Sequence, residues 1–450
     1  MSALISDPSP ARGTREHVVA ERPWRRAIAW LAVLAPLFFI SYGFANWIAA
    51  QRSTVPSIVF DWEHAIPFWP WTIVPYWIID LLYGLSLFVC TSRRELDTHA
   101  KRLLTAQVAA VFCFIAFPYR FTFERPAVDG AFGFLFDVLL GFDRPFNQIP
   151  SLHIALAVIL WVLYASKVSR AGRFIVDAVF LLICASVLTT YQHHFIDIPT
   201  GFALGWLCVW LWPNDARQQP SFAWSRDPHR MRIAAFYLLG AVTVVAIATA
   251  IEGVALWLFW PALSLGLVAL IYAAVGANGF QKGDDGGLSL ATRWLLAPYL
   301  AGAWVNSRWW TRVYPAPSHL ADAVWIGRTP TRREMTASPF AALVDLTAEL
   351  SVTPGARTLA VFPVLDLTTP SRETLTSAAN AIERLRKQGP VLVCCALGYS
   401  RSACAAAAWL LATGRATSVD AAVAMIRAAR ANVVLHADHA VALRAFVAAQ

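Results

Sequence analysis

Charge is scarce in this sequence: only 14% of its residues are Asp, Glu, Lys or Arg, where a soluble domain carries about 25%. Such a chain cannot coat an ordinary globular surface with ions. With 58% hydrophobic residues and 20 tryptophans, it reads as a membrane protein with something attached. The seven cysteines include no CxxC pair, so neither a zinc ribbon nor a disulfide framework is expected. Cys90, Cys113, Cys184 and Cys208 fall inside apolar runs and read as small apolar filler. The formal net charge of +9 is not gathered on one face or in an RNA-binding motif, so nucleic acid is not an expected partner. A cleavable leader is not expected either. Residues 1–26 are polar and Arg-rich, and the apolar run that follows is long enough to stay as a helix.

What the chain does have is long apolar runs, at about 27–50, 66–90, 103–119, 151–166, 173–191, 197–213, 232–251 and 255–277. Each approaches the ~20 residues that span a bilayer, so about eight transmembrane helices are expected. If the N-terminus is cytoplasmic, the inner segments hold sixteen Lys and Arg residues, including Arg12 and Arg15, and the outer segments four. That bias places both termini inside. The expected organisation is a cytoplasmic tail at 1–26, a membrane domain at 27–213, and a cytoplasmic loop with two further spans at 214–277. A flexible linker followed by an interfacial, Trp- and Arg-rich segment occupies 278–314. From 315 to 450 the texture becomes soluble α/β. Strand-like AVWIG, ALVDL, TLAVFPV and PVLVC surround a helix near Thr374–Gln388, and two helices close the chain.

The stretch CALGYSR sets Cys395, Gly398 and Arg401 in a CxxGxxR loop, directly after a strand and before a helix. A loop of this length can curl so that the backbone N–H groups of Ala396, Leu397, Gly398, Tyr399 and Ser400 face a phosphate at a helix N-terminus. The same field favours the Cys395 thiolate. Arg401 can grip two phosphate oxygens, and Ser402 can hydrogen-bond the sulfur when it leaves. The loop carries no Lys and no second Arg, which argues against polyphosphorylated inositides.

A second constellation lies at the outer ends of the apolar runs, where polar residues are costly. IPSLHIALAV and TTYQHHFIDIPTG place Ser151 at a helix N-terminus, with His153 as an acid. In the same reading His193 attacks phosphorus and Asp197 orients its ring. Arg120 and Arg125, in PYRFTFERP, can neutralise phosphate oxygens. No third ligand at useful spacing accompanies these groups, so no metal site is expected.

The C-terminal motif resembles the dual-specificity branch of the cysteine-dependent protein tyrosine phosphatases, as do VWIGRTP and IRAARANVVLHADHAVAL. The resemblance implies an α/β protein-tyrosine-phosphatase-like fold and a phosphocysteine intermediate. It also implies a general acid some thirty residues before the Cys: Asp366 in FPVLDLTTPS, with Asp345 as its competitor. The family's His before the nucleophile is here Cys394, which puts the strength or pH optimum of the activity in doubt. Reversible oxidation of Cys395 onto Cys394 or Cys404 is a further reading of the cluster.

Residues 27–213 resemble the type 2 phosphatidic acid phosphatases, in particular their inositol phosphorylceramide and sphingomyelin synthase branch, which has PSLH followed by His-x-x-x-Asp. This implies a six-helix core in which His193 becomes phosphohistidine, with His153 as acid and Asp197 as its partner. The family's first-motif Lys is Pro118 here and its third-motif Arg is Val187. Together the two resemblances imply a fusion of both domains in a bacterial inner membrane. Such a fusion needs no cofactor and acts on phospholipid or lipid-linked phosphates, with phosphoproteins a further possibility at the inner site. Hydrolysis and head-group transfer both stay open for the outer site, as does a different class: a transporter or scaffold with a phosphate-sensing module.

Overall fold

The computed structural model describes residues 22–448; Arg12, Arg15 and most of the 1–26 tail lie outside the described residues. Among the described residues nine α-helices build the first part: α1 (Trp24–Ala50), α2 (Ile73–Val89), α3 (Arg93–Ala116), α4 (Gly130–Phe142), α5 (Leu152–Ala165), α6 (Arg170–Thr189), α7 (Asp197–Leu211), α8 (Pro228–Ile251) and α9 (Phe259–Leu270). Small polar residues start several of them. Ser92, Ser151 and Ser169 each accept a backbone N–H of the first turn, and Asp227 does the same before Pro228, leaving fewer orphan donors at the helix ends.

All eight expected apolar runs are helical, but only six are long and apolar enough to cross a membrane: Trp24–Ala50, Pro70–Val89, Arg93–Ala116, Arg170–Thr189, Pro228–Ile251 and Gly253–Val275. The remaining two, α5 and α7, have 14 and 15 residues, about 21–22 Å at 1.5 Å per residue against a ~30 Å hydrocarbon core. They are short because they form the centre of the body. Ten α5 residues are buried, and the two helices meet through glycines. A Cβ on Gly201 would lie 2.4 Å from the Ser151 carbonyl oxygen, and one on Gly205 2.7 Å from Val158 Cβ. Small residues permit such close backbone approach, and here that approach sets the start of α5 beside the start of α7. The outer face is apolar: Ile40, Phe112, Phe174, Leu181 and Phe236 are each at least 66% exposed. Helix α4 was not expected from the sequence.

The polar stretch 278–287 is not a flexible linker. The Lys282 side chain is fully buried; its Nζ donates to Asp345 Oδ2 at 2.5 Å, to Thr347 Oγ1 and to the carbonyls of Thr347 and Leu350. Gln281 ties the same stretch to α7 by donating to the Trp210 carbonyl at 2.7 Å. An ion buried this way is tolerated only because every donor finds an acceptor. Lys282→Ala, which leaves Asp345 charged and alone, is expected to cost ~3–5 kcal/mol, and adding Asp345→Asn to recover part of it. Denaturant unfolding of the purified chain checks this, and an unchanged midpoint would refute it.

Next come α10 (Leu290–Leu295) and α11 (Ala297–Trp310), nearly continuous but broken at Leu296 ahead of Pro298. The second part is a five-stranded mixed sheet in the order β1-β2-β5-β3-β4. Its strands are β1 (Ser318–Ala321), β2 (Val324–Arg328), β3 (Ala342–Thr347), β4 (Thr358–Val364) and β5 (Val391–Cys395). β1 runs antiparallel to β2, and the other pairs are parallel. The helices of this part are α12 (Arg332–Thr336), α13 (Arg372–Arg386), α14 (Arg401–Ala412), α15 (Val419–Ala429) and α16 (Ala437–Val447). Three helices follow β5 rather than two, because Gly414 at φ +68° ends α14 and Ser418 caps a new start.

Candidate active sites

In an open parallel sheet the loops leaving the carboxyl ends of the central strands converge on a crevice. β5 is central and ends at Cys395. The loop 396–400 turns there and enters α14 at Arg401. Gly398 adopts φ +75°, and a Cβ at this position would sit 2.4 Å from the Gly327 carbonyl carbon, so only glycine fits both the backbone conformation and the space. Its N–H donates to Cys395 Sγ at 3.3 Å, and Ser402 Oγ lies 3.2 Å from the same sulfur. The rest of the loop is tied down from outside. Thr329 N–H donates to the Cys395 carbonyl, Arg430 donates to the Leu397 carbonyl and lies over the Tyr399 ring, and Ser400 Oγ meets His439 Nε2 at 2.8 Å.

Arg401 is buried, and its guanidinium forks onto Glu349: Nη1 donates to Oε2 at 2.8 Å and Nη2 to Oε1 at 2.7 Å. Nη1 also reaches the Val364 carbonyl, and Nη2 lies 2.9 Å from Asp366 Oδ1. Burial alone favours a neutral Arg401, but the charges of Glu349 and Asp366 reverse this and hold it protonated. Burial pushes Asp366 above its ordinary range; Arg401 opposes the shift and Glu349 adds to it. Such a carboxyl keeps its proton nearer neutrality, as a general acid must. Asp345, the competing candidate, is committed to Lys282 and Thr347 and lies away from this cluster.

Cys394 and Cys395 point to opposite faces of the sheet, as successive strand residues must. Cys395 shares a core with Cys404, while Cys394 packs among Met335, Phe340 and Leu392. Burial pushes the Cys394 thiol well up and that of Cys404 up to about 12, so neither is a ready thiolate.

Sequence reasoning missed Glu349. Its only signal is an acid four residues past Asp345, and what gives it meaning is a pairing 52 residues away. Also missed was the loop's contact with the helical part. Ser307 of α11 donates to the Ala396 carbonyl at 2.5 Å, and Tyr399 Oη donates to the Trp310 carbonyl. Tyr272 Oη donates to the Asp366 carbonyl at 3.0 Å, and His229 Nε2 lies 3.0 Å from the Leu367 carbonyl oxygen. The loop carrying Asp366 is therefore held by the start of α8 and by the helical turn that follows α9.

At the far end of α7 a second cluster forms. His193 Nδ1 lies 2.9 Å from Asp197 Oδ2, and its Nε2 lies 3.3 Å from Ser151 Oγ. His153 stacks on Tyr76 with ring centroids 4.2 Å apart, and its buried Nε2 has no hydrogen-bond partner among the described residues. His153 and His193 line one small cavity of about 40 Å³ together with Tyr42, Asp80, Asp143 and Asn147, none of which sequence reasoning singled out. Arg120 and Arg125 do not line it. Arg120 is exposed, whereas Arg125 donates to the carbonyls of Thr190 and Tyr191 and covers the Phe136 ring, bracing the turn that presents His193. His194 is occupied by Glu63 and Thr122.

Residues 324–448 match the family model described as the dual specificity phosphatase catalytic domain. The chain therefore carries a dual-specificity phosphatase domain, built on a mixed sheet. Among solved structures it is similar to Tk-PTP in its active form, at 27% identity, covering 30% of this chain and 98% of that one with a TM-score of 0.28. It is also similar to human DUSP28 (20% identity, 30% and 95% coverage, TM-score 0.28) and to PTPMT1 in complex with PI(5)P (16%, 30% and 95%, 0.28). No curated protein matches the chain.

Proposed function

We propose that the chain is a membrane-embedded phosphatase with two separate sites, one at each end of α7. The observation that carries the reading is the C-terminal geometry: a nucleophile that accepts the Gly398 N–H, a buried Arg, and beside it a carboxyl whose pKa burial raises. The Cys395 thiolate attacks phosphorus; the S–P bond forms as the ester P–O bond breaks, and Asp366 gives its proton to the leaving oxygen. The incoming phosphate dianion takes the place of Asp366 on Arg401, while Glu349 keeps the guanidinium aimed. Asp366, now a carboxylate, takes a proton from the attacking water. The S–P bond then breaks, with Ser402 hydrogen-bonding the departing sulfur.

For the helical part, the apolar surface and the six long helices support a bilayer setting. The Ser151–His193–Asp197 array supports a phosphohistidine-type phosphatase of the type 2 phosphatidic acid phosphatase kind. Asp197 at α7's start and Trp210 near its end, where Gln281 and Lys282 lead to the phosphatase domain, lie about 20 Å apart along the helix. The excess of Lys and Arg on one set of loops supports opposite membrane faces for the two sites, with Cys395 in the reducing cytoplasm and lipid-linked phosphates as substrates for both sites.

Phosphate release from a panel of lipid and aryl phosphates by the purified full chain tests this, beside Cys395→Ser and His193→Ala. Each substitution is expected to abolish a different subset of substrates. Activity toward every substrate surviving His193→Ala would remove the hydrolase reading of the helical site.

A further inference from the structure

A cavity of about 490 Å³ lies in the seam between α10–α11 and the phosphatase domain, within the range of small-molecule sites. Ala297, Leu300, Trp304 and Arg308 form one of its walls, with Arg293 of α10 beside them, and the spacing of the four places them on a single face of α11. This wall precedes the residues that match the phosphatase family, so the cavity is a feature of this chain rather than of that domain.

Its chemistry is two-sided. Arg293, Arg308 and Arg332 face it, while Leu300, Trp304 and Leu350 give it apolar wall. The side chains of Arg293 and Arg332 make no hydrogen bond or ion pair among the described residues. Arg308 donates through Nη2 to the Thr329 carbonyl, but its buried Nε and Nη1 find no hydrogen-bond acceptor, and Glu334 is 3.8 Å from Nη1. Burial and the nearby Arg328 charge lower its pKa, as befits a cation short of counter-charge. The one carboxylate in the lining, Glu349, is committed to Arg401. Unsatisfied buried donors carry a cost unless a ligand meets them. Beside the cavity, Trp304, Val305, Trp309 and Trp310 are half or more exposed, an aromatic shelf of the kind found at headgroup level.

We propose that this cavity binds an anionic phospholipid, with its diester phosphate on Arg293, Arg308 and Arg332 and an acyl chain along Leu300 and Trp304. Free phosphate would leave the apolar wall uncovered, and a zwitterionic head group would set its own cation beside the arginines. The inference rests on the membrane reading and not on catalysis at Cys395. Because Thr329 holds the Cys395 carbonyl and Glu349 holds Arg401, the bound lipid would share a wall with the catalytic loop.

Calorimetric titration of the detergent-solubilised full chain carrying Cys395→Ser tests it with dihexanoyl phosphatidylglycerol, a diester that a monoesterase cannot consume. The anionic lipid is expected to bind about tenfold or more tightly than dihexanoyl phosphatidylcholine, to weaken as salt rises, and to withstand added inorganic phosphate. Arg293→Ala with Arg332→Ala is expected to weaken it about tenfold or more. Thr353→Trp, which fills the mouth from an exposed rim position, is expected to do the same should the double variant fail to fold. Equal affinity for the two lipids, unchanged binding in the folded variants, or displacement by inorganic phosphate would each overturn the proposal. Absence of phosphomonoester turnover in the parent chain, with lipid binding intact, would count against the phosphatase reading alone.

Discussion

Cys395→Ser is expected to lower phosphomonoester hydrolysis at the C-terminal site by about 10⁴-fold or more, with the protein still folded. Serine replaces sulfur with a smaller oxygen whose hydroxyl has no base beside it: the groups around Cys395 Sγ are the Gly398 N–H and Ser402 Oγ, both suited to stabilising an anion and neither to removing a proton. The phosphate cradle itself survives, so Cys395→Ser should still bind phosphate and unfold at the parent's temperature. Stopped assays with an aryl phosphate, together with a melting curve, check both halves. Residual activity within tenfold of the parent would mean that another nucleophile operates.

Asp366→Asn is expected to lower kcat by about 10²–10⁴-fold, more for an alkyl leaving group than for an aryl one, because only the former needs a proton from the enzyme. The pH dependence follows from the raised pKa. Turnover needs Asp366 protonated in the first step, so activity falls as pH rises through that raised value. Burial and Glu349, by lifting the pKa, carry the active range toward neutrality, against Arg401. The Asn variant should lose this alkaline limb. Rate profiles for an aryl and an alkyl phosphate measure it, and an unchanged limb in the variant would assign it to another group.

The CxxGxxR loop was legible in the sequence because its chemistry is local: nucleophile, glycine and arginine lie within seven residues, and flanking strand and helix signals are equally short-range. Asp366 was reachable only through family resemblance, since nothing in FPVLDL states that its loop folds over Arg401. Glu349, Ser307 and His439 were not legible at all. Each gains its role from a partner 39 to 89 residues away, and pairings at that range are set by packing rather than by spacing. Apolar runs located the helices, yet composition could not show that α5 and α7 are too short to be ordinary spans, because burial inside a bundle and burial in lipid select the same residues. The stretch 278–287 misled for a related reason. Gly, Asp and Lys in succession read as solvated, whereas Lys282 is drawn inside by Asp345, a residue 63 positions away. In the helical part, Ser151, His193 and Asp197 were found from motif spacing and lie together. Arg125, expected from charge and motif register to meet phosphate, donates to the backbone carbonyls of Thr190 and Tyr191.

The most direct test of the account is to trap the phosphoenzyme. The full chain carrying Asp366→Ala, which lacks the group that activates water, is mixed with an aryl phosphate, quenched and mapped by mass spectrometry. Phosphate on Cys395, absent when Cys395→Ser is added, is the predicted result; turnover with no phosphocysteine, or with label on another residue of the C-terminal domain, would contradict it.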